Sequence, residues 1–121
     1  MNRVLALLVG TGLLATGCAS VPEPKGELAN ADLALRKAEA VNAAELAPLD
    51  ARLAREKLEK AKLESEKGRN LEARRLAEEA EVDALVAEAK ARSTRVQRAT
   101  EEKQNQVDLL RKGASPGEGT R

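Results

Sequence analysis

Residues 71–91, LEARRLAEEAEVDALVAEAKA, place alanine at 73, 77, 80, 84, 87 and 91. The steps alternate four and three, which lays all six residues along one stripe of an α-helix. Leu76 and Leu85 flank that stripe, and most other positions are Glu, Arg or Lys. Methyl side chains let a second helix approach closely. Ala73, Ala77, Ala80, Ala84, Ala87 and Ala91 are therefore the candidate interaction seam.

Upstream, Ala47, Ala51, Ala54, Leu58 and Ala61 repeat the pattern, with Leu49 and Leu53 beside them. Pro48 disfavours helix at Ala47 but suits a first helical turn, so a helix is expected from Pro48 to Lys67. Gly68 admits a left-handed cap, and Asn70 stands where it can cap the helix that follows. Two matching seams joined by a short turn predict an antiparallel hairpin. A further stripe of Leu28, Ala31, Leu35 and Ala38 predicts another helix over Glu27–Glu45. The expected fold class is all-α: a helical hairpin or three-helix arrangement with a long C-terminal helix.

The helices differ in length. Pro48–Lys67 spans about 30 Å at ~1.5 Å per residue, whereas a helix from Leu71 to Lys112 reaches about 63 Å. The second half of the long helix must outrun its neighbours. It keeps a sparse stripe of Val96, Ala99, Val107 and Leu110, broken by Lys103. Such an overhang either frays or pairs with another chain. Elsewhere, oppositely charged residues four apart (Glu56 with Lys60, Lys62 with Glu66, Arg75 with Glu79, Glu88 with Arg92) read as solvated helix faces. Each contributes about 0.2–0.5 kcal/mol.

The helical domain, residues 27–112, lies between two other segments. In residues 18–26, Pro22, Pro24 and Gly26 mark the eight residues after Cys18, 19–26, as an extended tether spanning roughly 25 Å at ~3.1 Å per residue. Gly113, Pro116, Gly117 and Gly119 mark residues 113–121 as a disordered tail. Before the tether, Arg3 opens a positively charged start, and Val4 to Ala15 is almost wholly apolar. This run is too short for a membrane-spanning helix, which needs about 20 residues. It fits a cleaved signal peptide over residues 1–17. Leu14-Ala15-Thr16-Gly17-Cys18 looks like a lipobox, with cleavage between Gly17 and Cys18 and acylation of the Cys18 thiol. The plainer alternative is a secretory signal with a chance cysteine. Cys18 is the only cysteine in the chain, so it can form no internal disulfide and is too isolated for a metal site. By resemblance to enterobacterial lipoproteins, Ala19 rather than Asp after the lipidated residue implies the outer membrane.

Composition excludes several functions. The chain has no Phe, Trp, Tyr or His. Hydrolytic triads and most metal sites need His or a second Cys, so no catalytic residue, metal or cofactor is expected. Consecutive residues on a helix point different ways, so Glu78, Glu79, Glu81 and Asp83 are not expected to converge on one substrate. Basic and acidic residues number 21 and 20. Losing Arg3 with the leader leaves 20 of each, so no net field draws nucleic acid, and base-stacking aromatics are missing.

Residues 45–92, with Ala47-Pro48, Lys57-Leu58-Glu59-Lys60-Ala61, the Gly68 turn and the Glu72–Ala80 series, resemble a family of small proteobacterial lipoproteins. Those proteins carry an α-helical domain of unknown function, DUF4398, often beside or fused to OmpA-like peptidoglycan-binding domains. The resemblance implies an envelope location and a helical architecture, with no activity attached. Comparison with tetratricopeptide repeats fails on helix length and on the empty aromatic positions. Comparison with the major murein lipoprotein fails at the C-terminus, where Arg121 stands instead of a wall-linked Lys. The expected function is a lipid-anchored periplasmic adaptor or scaffold for another envelope protein, acting through the Ala seam or the long helix. The alternatives are a self-associating spacer between outer membrane and cell wall, and an accessory subunit of an envelope machine. No nucleic acid and no small-molecule substrate are expected.

Overall fold

The computed structural model describes residues 20–114, so the leader, Cys18 and most of the tail expected from the sequence lie outside the described residues. Four helices follow one another: α1 (Lys25–Ala40), α2 (Ala43–Leu46), α3 (Pro48–Glu66) and α4 (Asn70–Gly113). There is no strand among the described residues. The all-α class is thus as expected. Of the two arrangements, the structure takes the three-helix one, with α2 as a short corner.

The core has two layers. In the first, Ala31, Ala34 and Leu35 of α1 meet Ala54, Leu58 and Ala61 of α3 and Ala77, Ala80 and Ala84 of α4. In the second, Ala38, Ala43, Ala47 and Ala51 meet Ala87 and Ala91. From the first layer to the second, residue numbers rise in α1 and α4 and fall in α3. Helix α1 therefore runs with α4, and α3 runs against both. Fourteen of the sixteen buried hydrophobic residues are alanine, the exceptions being Leu35 and Leu58. With so little side chain to bury, the helices must lie close together to exclude water.

The α3–α4 turn forms as the glycine suggests. Gly68 has φ +72°, and its N–H donates to the Ser65 carbonyl while that of Arg69 donates to the Glu64 carbonyl. These two bonds satisfy the last carbonyls of α3 and define a Schellman cap. Pro48 occupies the first position of α3. Ala47 before it is held out of the helical region at φ −144°, as the ring of the following proline requires.

Four expectations are corrected. The first helix does not reach Glu45, because Asn42 adopts a left-handed conformation at φ 61°. Asparagine tolerates that region better than most residues. The break turns the chain so that Ala43 and Ala47 close the end of the bundle against Ala87 and Ala91. Secondly, Lys25 and Gly26 belong to α1 rather than to a free tether. Pro24 sits where its missing N–H costs nothing, its carbonyl accepts the first helical bond from Leu28 N, and its ring is fully buried. Thirdly, Asn70 is the first residue of α4 and makes no capping bond; its side chain is used elsewhere. Helix α4 also continues through Gly113, the first residue of the expected tail.

Ala91 is the last buried residue of α4, and every residue from Arg95 to Ala114 is exposed. Continuing the seam by the same four-three steps gives Thr94, Arg98, Glu101, Asn105, Asp108 and Lys112. All are polar, so nothing on that face attracts a neighbouring helix. The arm from Arg95 to Gly113 extends about 28 Å at ~1.5 Å per residue.

Candidate functional site

The seam proposed from the sequence is fully occupied within the chain. Ala73, Ala77, Ala80, Ala84, Ala87 and Ala91 are each 0–1% exposed, and the last five pack against α1, α2 and α3. The expectation that a partner docks on it is corrected, because no area remains to offer. A four-three spacing shows that a stripe must be covered, without saying whether its own chain or another covers it.

What remains open is the arm and the outer face of α4. Val96, Val107, Leu109 and Leu110 are 65%, 45%, 69% and 72% exposed. Nearer the bundle, Val82, Leu85 and Val86 also face outward. The last ion pair between arm and bundle among the described residues is Arg98 with Glu45 at 3.5 Å.

Ion pairs tie the bundle together at its margins. Lys57 of α3 sits between Asp83 at 2.8 Å and Glu79 at 3.3 Å on α4. Both oxygens of Asp50 accept from Lys90 at 2.8 Å. Arg74 meets Glu27 at 2.9 Å, and Arg55 meets Glu39 at 2.6 Å. Of the pairs expected within helices, Arg75–Glu79 and Glu88–Arg92 form. Lys62 instead takes Glu59, and Glu56 takes Arg52. Against expectation, Glu79 and Asp83 of the four acidic residues weighed on α4 do converge, four apart, but on Lys57, with Arg75 also pairing with Glu79. No charged side chain is buried among the described residues, and none of their His, Cys, Asp and Glu residues form a cluster that could hold a metal.

These contacts set the response to pH. The hydrogen bond to Asp83, with that to Glu79, raises the Lys57 ammonium above the ordinary lysine range despite partial desolvation. Hydrogen bonds from Lys67 and then Arg69 hold Glu64 below the usual glutamate range, and Arg75 does the same to Glu72. Lowered carboxylates stabilise the fold above their unfolded pKa and lose that contribution as pH falls through the folded value. The raised lysine stabilises the fold below its unfolded pKa and loses this as pH rises through the folded value. With no histidine in the chain, the urea midpoint is expected to be flat from about pH 6 to 8. It should decline below about pH 4.5. Urea titrations across that range, read by circular dichroism, check this, and a transition near pH 7 would contradict it.

The features above define an all-α, alanine-cored three-helix domain with a projecting C-terminal helix. The chain belongs to the DUF4398 family, a domain of unknown function, whose model matches residues 26–103. The match takes in all of α1, apart from Lys25, through α3 and the first part of the arm, a wider span than the 45–92 stretch that carried the resemblance. No curated protein and no solved structure matches the chain.

Proposed function

We propose that the protein is a lipoprotein of the outer membrane, held by acyl chains on Cys18 and facing the periplasm, whose helical domain is an adaptor for another envelope protein. The observation that carries the adaptor reading is the arm. Residues 95–114 are all exposed, touch the bundle near its α2 corner, and display Val96, Val107 and Leu110 along one face of a continuous helix, with Leu109 on another. An amphipathic helix presenting spaced apolar anchors is a recurring means of docking into a partner's groove. The family resemblance points to OmpA-like proteins as the first partners to test.

One observation favours the second reading, a self-associating spacer. Val82, Val86, Ala89, Ser93, Val96, Thr100, Lys103, Val107 and Leu110 follow strict four-three steps along the exposed face of α4. A heptad seam of this kind suits a coiled coil, with Ser93, Thr100 and Lys103 as its polar interruptions.

Crosslinking in cells followed by affinity capture separates the two readings, with the full chain compared against a truncation after Glu102. The expected result is one dominant heterologous protein captured by the full chain and lost on truncation. Only self-crosslinks would overturn the adaptor and support the spacer. The truncated protein should keep its stability within about 0.5 kcal/mol, since residues 103–114 are surface exposed.

A further inference from the structure

The end of the bundle at the α3–α4 turn is tied to the chain that precedes α1. Asn70 Nδ2 donates to the Val21 carbonyl at 2.6 Å, across 49 residues of sequence. Pro24, three residues on, is fully buried. Ser20 and Val21 therefore lie along the turn, bordering a shallow groove with Gly68, Arg69, Leu71 and Glu72. Cys18 precedes Ser20 by two residues, and two trans peptides separate their Cα atoms by at most about 7.6 Å. A flexible spacer of eight residues would have left the domain free to tumble. This strap does not.

The turn also presents suitable chemistry. Leu71 is 68% exposed at the very start of α4. Lys67 and Arg69 beside it both pair with Glu64. The Glu64 side chain is only 16% exposed, while those of Lys67 and Arg69 are 52% and 65% exposed. The cations are thus outermost in this cluster, although with Glu66 and Glu72 beside it the turn carries no net positive charge. An apolar side chain flanked by long cationic ones suits the boundary between lipid headgroups and acyl chains.

We propose that the α3–α4 turn is the membrane-facing end of the molecule. Leu71, Lys67 and Arg69 rest at the headgroup boundary of the bilayer that holds Cys18, and α4 carries its free end away from that surface. The proposal rests on the lipoprotein reading of Cys18. Helix α4 has 44 residues, about 66 Å at ~1.5 Å per residue. Because α1 runs with α4, the α2 corner also lies on the far side, and the arm is the part presented deepest into the periplasm.

The chain has no Trp, Tyr or Phe, so a single introduced indole reports alone. The acylated full chain carrying Leu71→Trp or Leu110→Trp is reconstituted on vesicles of phosphatidylethanolamine and phosphatidylglycerol containing brominated lipid. Both positions are exposed, so neither substitution disturbs the core. The Leu71→Trp indole should shift to the blue and lose most of its emission to the bromines, while the Leu110→Trp indole should be unaffected. Adding Asn70→Ala to Leu71→Trp releases the strap and should restore much of the emission. Vesicle flotation of each sample keeps the two claims apart. Protein that floats without quenching at position 71, or with quenching at position 110, overturns the orientation and leaves the anchor standing. Protein that fails to float overturns both.

Discussion

Leu58→Ala is expected to destabilise the domain by about 3 kcal/mol, within the 2–5 kcal/mol usual for truncating a fully buried leucine. For a domain near 90 residues that lowers Tm by roughly 12–24 °C, at about 4–8 °C per kcal/mol. Leu58 is 1% exposed and, with Pro24, is one of the two largest fully buried side chains. Its layer otherwise holds alanines and Leu35, with Leu28 and Leu76 at the edge. Alanines cannot swing into a vacated space, because their methyl groups move only with the backbone. The cavity should therefore persist, placing the cost in the middle of the range rather than at its floor. Leu63→Ala is the matching control, since Leu63 is 51% exposed and should change stability by no more than about 0.5 kcal/mol. Thermal unfolding followed by circular dichroism measures both. A Leu58→Ala loss under about 1 kcal/mol would mean that the layer collapses freely, against the tight packing described for this core.

The parts of this architecture that were legible in the sequence share a physical cause. Alanine at four-three spacing has one way of being buried in quantity, so α3, α4 and their seam follow directly. Gly68 and Pro48 act through their own backbone chemistry, so the turn and the start of α3 are also readable. The arm follows from subtraction of helix lengths. What was not legible depended on contacts remote in sequence. Asn42 reads as a tolerable residue inside an α1 extended to Glu45, and only the burial of Ala43 and Ala47 against α4 favours its left-handed break. Pro24 and Gly26 read as helix breakers until the ring is buried and the carbonyl begins the helix. Asn70 gave a cap signal, but it stands one residue inside the helix as the first residue of α4, and its Nδ2 donates instead to the Val21 carbonyl 49 residues away. The ion pairs behaved similarly. Lys57, Arg55 and Arg74 chose carboxylates on other helices, where spacing rules within one helix have nothing to say.

For the candidate site, the consequence was a change of address. The sequence offered two surfaces to a partner, the seam and the long helix. The three-helix packing consumes the first and leaves the second. A stripe of six alanines bears no mark of its eventual cover, whereas the polar run Thr94, Arg98, Glu101, Asn105, Asp108 and Lys112 shows where that cover ends. The exposed apolar residues Val96, Val107 and Leu110 of the arm share another face and do not continue the core, whereas Leu109 stands roughly 130° round the helix from them.

Replacing Cys18 by serine is expected to abolish membrane attachment of the mature protein altogether. A serine hydroxyl lacks the nucleophilicity of a thiolate, so no lipid is added at Cys18→Ser. Each buried CH₂ contributes about 0.8 kcal/mol, and a single myristoyl chain gives only marginal binding, with an association constant of about 10⁴ M⁻¹. Two or more chains make attachment effectively permanent. The contrast between wild type and variant should therefore be close to all or none rather than graded. No helix among the described residues is long and apolar enough to cross a membrane, and the turn residues Leu71, Lys67 and Arg69 are too few to hold the domain on a bilayer unaided. Fractionation with a size measurement reads the result. Soluble periplasmic protein, or an uncleaved precursor of higher mass, is the expected outcome, because acylation precedes cleavage in front of Cys18. Protein of mature size that still sediments with the outer membrane would overturn the lipoprotein reading. Ala19→Asp tests destination separately from attachment: if the enterobacterial sorting rule applies, the variant stays acylated but moves to the inner membrane. The arm of α4 would then point into the same compartment from the opposite wall, and capture of the wild-type partner should fall because the anchor, not the arm, has been moved.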